Sequence, residues 1–259
     1  MTLKRLAFLF CVLFIAASAY AQGNQDPQAV ALLTQSLNAA GGASAISAVQ
    51  DYTGVGNITY NWAGAQVQAS ATVESMGVTT FRVDSSLSNG TRTWAVDGLF
   101  GVLIAPDGTR QPSSFYNLAT AGSLTLPALQ VASILQSTAT SVTYVGQVTI
   151  NGNTAYQIHC VLPANPSTPP APSLPAFGAF DLFIDSTSFL VDSLQETAYS
   201  DANFQISFTH EIDYSNYQTV GGVVAPFGIT ESLGGQQTWS ISLNSLSFNS
   251  GLTESVFTP

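Results

Sequence analysis

Most of the chain after residue 50 alternates between hydrophobic and polar positions with a period of two. Ile58, Tyr60 and Trp62 alternate with polar residues, and Phe81 and Val83 do the same. This period is typical of strands that have one buried face and one face in water. Asn-Gly, Asp-Gly and Gly-Gly pairs separate these segments and supply the positive φ that tight hairpin turns need. The pattern predicts a succession of antiparallel hairpins.

Two parts of the chain follow a helical period instead. Asp26 is a capping residue and Pro27 suits the first helical position, so a helix is predicted from there to the Gly41-Gly42 pair. A second short helix is predicted over about 43–49. Further along, Val131, Ile134 and Leu135 form an apolar stripe behind a proline. We expect that later helix to pack over the sheet as a lid.

The predicted strands lengthen in the last third of the chain. Phe180, Leu182 and Ile184 share one face of a strand, as do the alternate residues from Phe204 to Ile212. Long segments of this kind, with few helices between them, predict a mostly β fold. We expect a strongly curved antiparallel sheet, an open half-barrel, with short helices covering its concave side. The rest of that side is either packed with aromatic side chains or left as a cavity for an apolar ligand.

The N-terminus has the pattern of a secretory signal peptide. A short basic region is followed by an apolar run, and Ala19-Tyr20-Ala21 places small residues at the two positions that a signal peptidase reads. The run is short for an uncleaved membrane anchor. We therefore interpret residues 1–21 as a signal peptide cleaved near Ala21 and residues 22–259 as a single β domain. A proline-rich stretch at 163–176 is predicted to be a surface loop within that domain.

Charge and cysteine content narrow the class of protein. After residue 21 the chain has three arginines and no lysine against fifteen carboxylates, a formal charge of −12. Such a chain repels phosphate backbones, so nucleic-acid binding is not expected. Cys11 lies within the apolar run and lacks the context of a lipid-accepting cysteine. Cys160 is then alone, without a disulfide partner, and is interpreted as a buried apolar residue. We expect a periplasmic or secreted monomer without a lipid anchor.

No catalytic or metal-binding motif occurs in the sequence. His159 is predicted to lie on the wet face of its strand, whereas His210 is in phase with apolar neighbours and is a candidate base or proton switch on the inner face. Asp181 and Asp185 are expected to solvate the outer face. A hydrolase that uses one of them with His210 is the weakest alternative. We expect no enzyme activity, no cofactor and no metal.

Several segments of the last third resemble the superfamily of periplasmic lipoprotein carriers and their outer-membrane acceptors, the LolA and LolB proteins. The segment Phe183-Ile184-Asp185-Ser186-Thr187 resembles that superfamily's strand leading to an Asp-x-Thr turn, and residues 214–226 resemble a second stretch of it. Asn249, Leu252 and Phe257 resemble its closing strand and tail. The resemblance implies an open half-barrel with helices over its mouth and an apolar cavity that holds acyl chains.

The leading hypothesis is therefore an exported carrier or chaperone for a lipid, a lipoprotein acyl chain or another apolar molecule, with transient contacts to the cell envelope. The alternative is an envelope or surface module that binds polysaccharide or protein and holds no internal ligand. Large apolar side chains in phase with the inner face, together with His210, are the candidate ligand-binding residues. They are Tyr60, Trp62, Phe81, Trp94, Phe115, Val131, Ile134, Leu135, Phe208, His210 and Trp239.

Overall fold

The computed structural model describes residues 23–98, 100–118, 126–163, 178–200 and 203–258, apart from the side chains of Phe115, Tyr116 and Phe204. The predicted signal peptide lies outside these ranges. So does the predicted proline-rich loop, except for its first residue.

Thirteen strands within the described ranges form one antiparallel sheet. They are β1 (Asp51–Trp62), β2 (Ala65–Met76), β3 (Thr80–Leu87), β4 (Gly90–Asp97), β5 (Phe100–Ile104), β6 (Arg110–Pro112), β7 (Ser141–Ile150), β8 (Asn153–Val161), β9 (Ala179–Asp185), β10 (Val191–Ser200), β11 (Asn203–Val220), β12 (Val223–Leu233) and β13 (Gln236–Phe248). Their order across the sheet is β6-β5-β4-β3-β2-β1-β13-β12-β11-β10-β9-β8-β7. The first and last long strands of the chain thus pair in the middle of the sheet, and the edges β6 and β7 leave it open. The predicted open half-barrel is confirmed.

Four short α-helices accompany the sheet in the described ranges. They are α1 (Pro27–Ala39), α2 (Gly42–Ser47), α3 (Phe115–Leu118) and α4 (Pro127–Gln136), and a 3-10 turn, Glu254–Val256, lies near the C-terminus. Helix α1 begins as predicted, because the Asp26 carboxylate accepts a hydrogen bond of 2.9 Å from the backbone N–H of Gln28. None of these helices is long and apolar enough to cross a membrane.

The core lies between the helices and one face of the sheet, which we call the concave face. Leu33 of α1 and Val131 of α4 belong to the same buried cluster as Ile58, Phe81 and Ile212 of the sheet. Helix α4 packs against α1 and α2. The prediction that short helices cover the concave side is therefore confirmed.

Helix α3 bridges the two walls of the half-barrel, since it contacts both β5 and β10, which are far apart in the strand order. Asn117 donates from Nδ2 to the Tyr199 carbonyl at 2.8 Å and accepts from the Tyr199 N–H at 2.9 Å. On the β5 side Leu118 lies over Gly101, where an added Cβ would come within 2.9 Å of the leucine side chain. The bridge thus depends on a glycine at one end and an amide at the other.

The C-terminal tail is fixed to the start of β1. The Asp51 carboxylate accepts hydrogen bonds from the backbone N–H groups of Ser250, Gly251 and Leu252 at 2.6 to 3.2 Å. Phe257 is fully buried at the end of this tail. The residues that resemble the superfamily's closing segment therefore have a structural role here.

Candidate functional site

Five of the predicted site residues form an aromatic wall on the concave face. Tyr60 and Trp62 stack with ring centroids 4.5 Å apart, and Phe81 meets Trp94 edge-on at 4.8 Å. Trp239 lies directly opposite Tyr60 across the β1–β13 pair. The wall approaches the end of the sheet at which β1 and β12 finish, which we call the rim. Trp62 is 40% exposed there.

Arg92 also belongs to this wall, although the sequence pattern did not single it out. Its guanidinium lies over the rings of Tyr60 and Trp62, 4.9 and 5.8 Å from their centroids. Nη1 donates to the Tyr60 hydroxyl at 3.1 Å, and that hydroxyl is 2.8 Å from the Ser85 hydroxyl. A cation–π contact and a hydrogen bond therefore hold Arg92 against the aromatic rings.

The aromatic wall is closely packed. A crevice of about 10 Å³ remains between it and the neighbouring strands, with Tyr60, Arg92 and Trp239 among its lining residues. That volume suits about one water molecule. The sequence left two outcomes open, a packed face and an open cavity. This part of the concave face is packed.

The other predicted site residues lie elsewhere on the concave side. Val131 and Ile134 are buried in α4, and Leu135 is partly buried beside them. Phe208 is partly buried on β11, two residues before His210. The Phe115 side chain lies outside the described residues.

A buried Glu-His-Glu triad is the most unusual feature of the concave face. His210 on β11 lies opposite Glu196 of β10 in the strand register. Its Nδ1 is 2.6 Å from Glu196 Oε1, and its Nε2 is 3.2 Å from Oε1 of Glu231 on β12. All three side chains are about 11% exposed or less. Since both ring nitrogens face carboxylate oxygens, the geometry favours the doubly protonated imidazolium.

The electrostatics of the triad agree with this assignment. Burial alone would lower the pKa of His210, but hydrogen bonds from the ring to Glu196 and Glu231 and the charges of these residues raise it to about 10. Burial raises the pKa of Glu196, and the contact with His210 offsets only part of that rise. The triad therefore holds a histidine cation between two carboxyl groups in a site of low dielectric constant.

The hydrogen bonds of the triad leave one oxygen without a partner. Glu231 Oε1 faces His210, and its Oε2 accepts from the Thr238 hydroxyl. Glu196 Oε1 faces His210, whereas Glu196 Oε2 is buried and has no hydrogen-bond partner. A buried polar atom without a partner is uncommon and costs free energy.

Sequence reasoning found His210 but missed the two glutamates. The signal was present, because Glu196 is in phase with the buried Leu194 and Glu231 is in phase with the buried Ile229. Each is a carboxylate at an inward position of an otherwise apolar face. The convergence of these positions depends on the strand register, which the pattern of each separate strand does not fix.

The structure does not bring together the residues that the hydrolase alternative requires. Asp181 lies on the convex face, opposite His159 in register, and its carboxylate is 2.8 Å from His159 Nδ1. His210 is on the concave face. Asp185 is also on the convex side and caps a turn, accepting from the N–H groups of Thr187 and Ser188. The predicted outer positions of His159, Asp181 and Asp185 are confirmed, and the combination of either aspartate with His210 is wrong.

Cys160 is fully buried and free, as predicted. Burial raises the pKa of its thiol. A buried thiol of this kind is not a reactive nucleophile.

A depression of about 260 Å³ lies at the end of the sheet away from the rim, beside the β9–β10 turn. Asp185 and Asp192 line it together with polar residues and tyrosines. The Asp185 carboxylate is already occupied by the turn, and Asp192 is only half buried. In the described part of the chain, no three His, Cys, Asp or Glu residues are arranged to hold a metal ion.

Two solved structures have the same fold as this chain. An outer-membrane lipoprotein-sorting protein domain from Vibrio parahaemolyticus aligns with 90% of this chain and 97% of its own, with a TM-score of 0.53 and 9% identity. A LolA superfamily protein from Nitrosomonas europaea aligns with 89% of this chain and 97% of its own, with a TM-score of 0.52 and 12% identity. Comparisons with protein-family models and with curated proteins gave no match. The resemblance to the LolA superfamily is therefore confirmed as a likeness of fold.

Proposed function

We propose that this protein is an exported, non-enzymatic carrier that holds the acyl chain of a lipid, a lipoprotein or another amphiphile against the concave face of its sheet. The observation that supports this most is the composition of that face. The aromatic wall shares one buried cluster with residues of helices α1 and α4, and short helices are easier to displace than paired strands. The fold shared with a lipoprotein-sorting protein domain and with a LolA superfamily protein supports the same proposal.

The carrier must open to bind its ligand, because the crevice at the aromatic wall has room for only about one water. An acyl chain enters between the wall and the covering helices, and burial of each CH₂ group contributes about 0.8 kcal/mol. Chain length then determines most of the affinity. The protein acts as a monomer in the periplasm or outside the cell, after cleavage near Ala21.

Titration with a fluorescent acyl probe, 11-(dansylamino)undecanoic acid, tests the proposal. Saturated alcohols of increasing chain length should displace the probe, with affinity rising up to about fourfold per CH₂ group. Absence of probe binding, together with absence of binding by alcohols of every chain length in native mass spectrometry, would contradict the carrier function.

A matched pair of variants locates the ligand. Ala69 is buried on the concave face opposite Ile58, which lines the crevice, whereas Ser70 is exposed on the convex face. Ala69→Phe should fill the crevice and weaken probe binding by about tenfold or more, while Ser70→Phe should change it little. Because overpacking costs about 1–3 kcal/mol, the thermal unfolding of both variants is measured alongside. Equal binding by both variants would place the ligand elsewhere.

The closed crevice also favours a second function, that of an envelope or surface module which binds polysaccharide or protein and holds no internal ligand. A concave face packed as a core is what such a module requires. The same titration separates the two functions, since the module would bind no acyl probe.

A further inference from the structure

The triad of Glu196, His210 and Glu231 lies on the same concave face as the aromatic wall and is joined to it through the strand register. Glu231 lies opposite Trp239 in the β12–β13 pair, and Trp239 lies opposite Tyr60 in the next pair. A polar, charged group thus adjoins the apolar wall near the rim. A site of this composition suits a molecule with one polar end and one apolar end.

The single positive charge of the triad does not balance the negative charges of its two carboxylates. His210 is its single cation, and it is shared between two carboxylates. With both carboxylates ionised the group carries a net charge of −1 while almost fully removed from water. Arg92 is already engaged with Tyr60 and Trp62 on the other side of the wall. A buried negative charge is stabilised by a cation placed against it.

The position that such a cation would occupy is marked by Glu196 Oε2. The Glu196 side chain is only 4% exposed, and this oxygen has no hydrogen-bond partner, whereas the other three carboxylate oxygens of the triad each have one. An N–H donor of a bound molecule would give the fourth carboxylate oxygen its hydrogen-bond partner. A carboxylate or phosphate group would instead meet a second negative charge.

We propose that Glu196 Oε2 is the acceptor for a cationic amine head group, so that the preferred ligands of this protein are amphiphiles with an ammonium group and an apolar tail. This inference rests on the proposed acyl-carrier function. The tail lies along the aromatic wall and the ammonium group donates to Glu196. The strongly acidic composition of the chain also favours cationic ligands over anionic ones.

The head group adds to the effect of chain length without replacing it. A hydrogen bond from an ammonium group to a buried carboxylate is expected to strengthen binding on the order of tenfold. Two additional CH₂ groups in the tail have a similar effect. Chain length therefore remains the larger determinant across a series, and the head group distinguishes ligands of equal length.

Displacement of the dansyl probe by three competitors, each with a 12-carbon chain, tests the inference at pH 7. Dodecylamine carries an ammonium group, methyl dodecanoate is neutral, and dodecanoate is anionic. The wild-type chain should bind the amine about tenfold more tightly than the ester, and the anion no more tightly than the ester. This ranking needs no variant. Equal binding of amine and ester, or preference for the anion, would overturn the inference while leaving the carrier function intact.

Two variants that each remove one carboxylate charge assign the effect to Glu196. Glu196→Gln should reduce the advantage of the amine over the ester, measured as a ratio within the same variant, to less than about threefold. Asp181→Asn on the convex face is the matched control and should retain the full advantage. An amine advantage that survives in Glu196→Gln would overturn the assignment. If the probe and all three competitors fail to bind the wild-type chain, the carrier function fails and the inference fails with it.

Discussion

Two histidine–carboxylate pairs lie on opposite faces of the same sheet. On the convex face His159 is 2.8 Å from Asp181, and its side chain is 45% exposed. On the concave face His210 is 2.6 Å from Glu196, and its side chain is 10% exposed. The distances are similar, but water screens the first pair and not the second. Burial, rather than the presence of the pair, therefore determines which histidine matters for stability.

Replacing each histidine by leucine should give the largest difference in stability between the two pairs. His210→Leu leaves two buried carboxyl groups without their cation and should reduce the free energy of unfolding by about 3–5 kcal/mol. His159→Leu removes an exposed pair and should cost at most about 1 kcal/mol. Denaturant titration of both variants at pH 7 measures the difference. Equal losses would mean that the concave triad is not buried as described.

The pH dependence of stability provides a second, smaller contrast. The pKa of His210 is raised from 6.5 to about 10, so its stabilising effect is fully present below about pH 6.5 and is lost as the pH rises through about 10. Between pH 7 and 8.5 the free energy of unfolding should fall by up to about 2 kcal/mol. Burial also raises the pKa of the Cys160 thiol. At higher pH this thiol ionises more readily in the unfolded chain than in the folded one, and stability falls further.

The control for this pH profile is the exposed pair. His159→Asn should retain the decline between pH 7 and 8.5, whereas His210→Asn should abolish most of it. A wild-type profile that is flat in this range would show that His210 is neutral in the folded state.

Loss of the Thr238 hydroxyl, which supports the triad, should have the smallest of these effects on the free energy of unfolding. Thr238 donates a hydrogen bond to Glu231 Oε2, and Thr238→Val removes the hydroxyl while keeping the shape of the side chain. The loss leaves a second buried carboxylate oxygen without a partner and should cost about 1–2 kcal/mol. Thr197→Val changes an exposed threonine on β10 and serves as the control in the same denaturant titration. If the two losses are equal, Thr238 has no special role.

The sequence predicted the fold better than it predicted the site. Alternation and glycine turn pairs are local signals, and they indicated the hairpins, the first helix and the open sheet. They also assigned His159 and His210 to their correct faces. Whether the aromatic residues pack against each other or surround a cavity depends on rotamers and on where the helices lie, which the alternation does not encode.

The triad shows why the site could not be predicted from the sequence. Glu196, His210 and Glu231 come from three strands, and each is in phase with buried neighbours of its own strand. Their contact requires the register of β10 against β11 and of β11 against β12, and a shift of one residue in either pair would separate them. An inward-phased carboxylate on an apolar strand is nevertheless a readable signal. Three such residues on consecutive strands predict a buried polar site.

The proposal that the concave face carries an amphiphile is tested most directly by native mass spectrometry of the protein as purified from its native cells. A fraction of the molecules should carry an additional mass equal to that of a single-chain or lipid amphiphile. That mass should be lost after organic extraction and restored by adding dodecylamine. A single ligand-free mass, unchanged by dodecylamine, methyl dodecanoate or dodecanoate, would contradict the proposal.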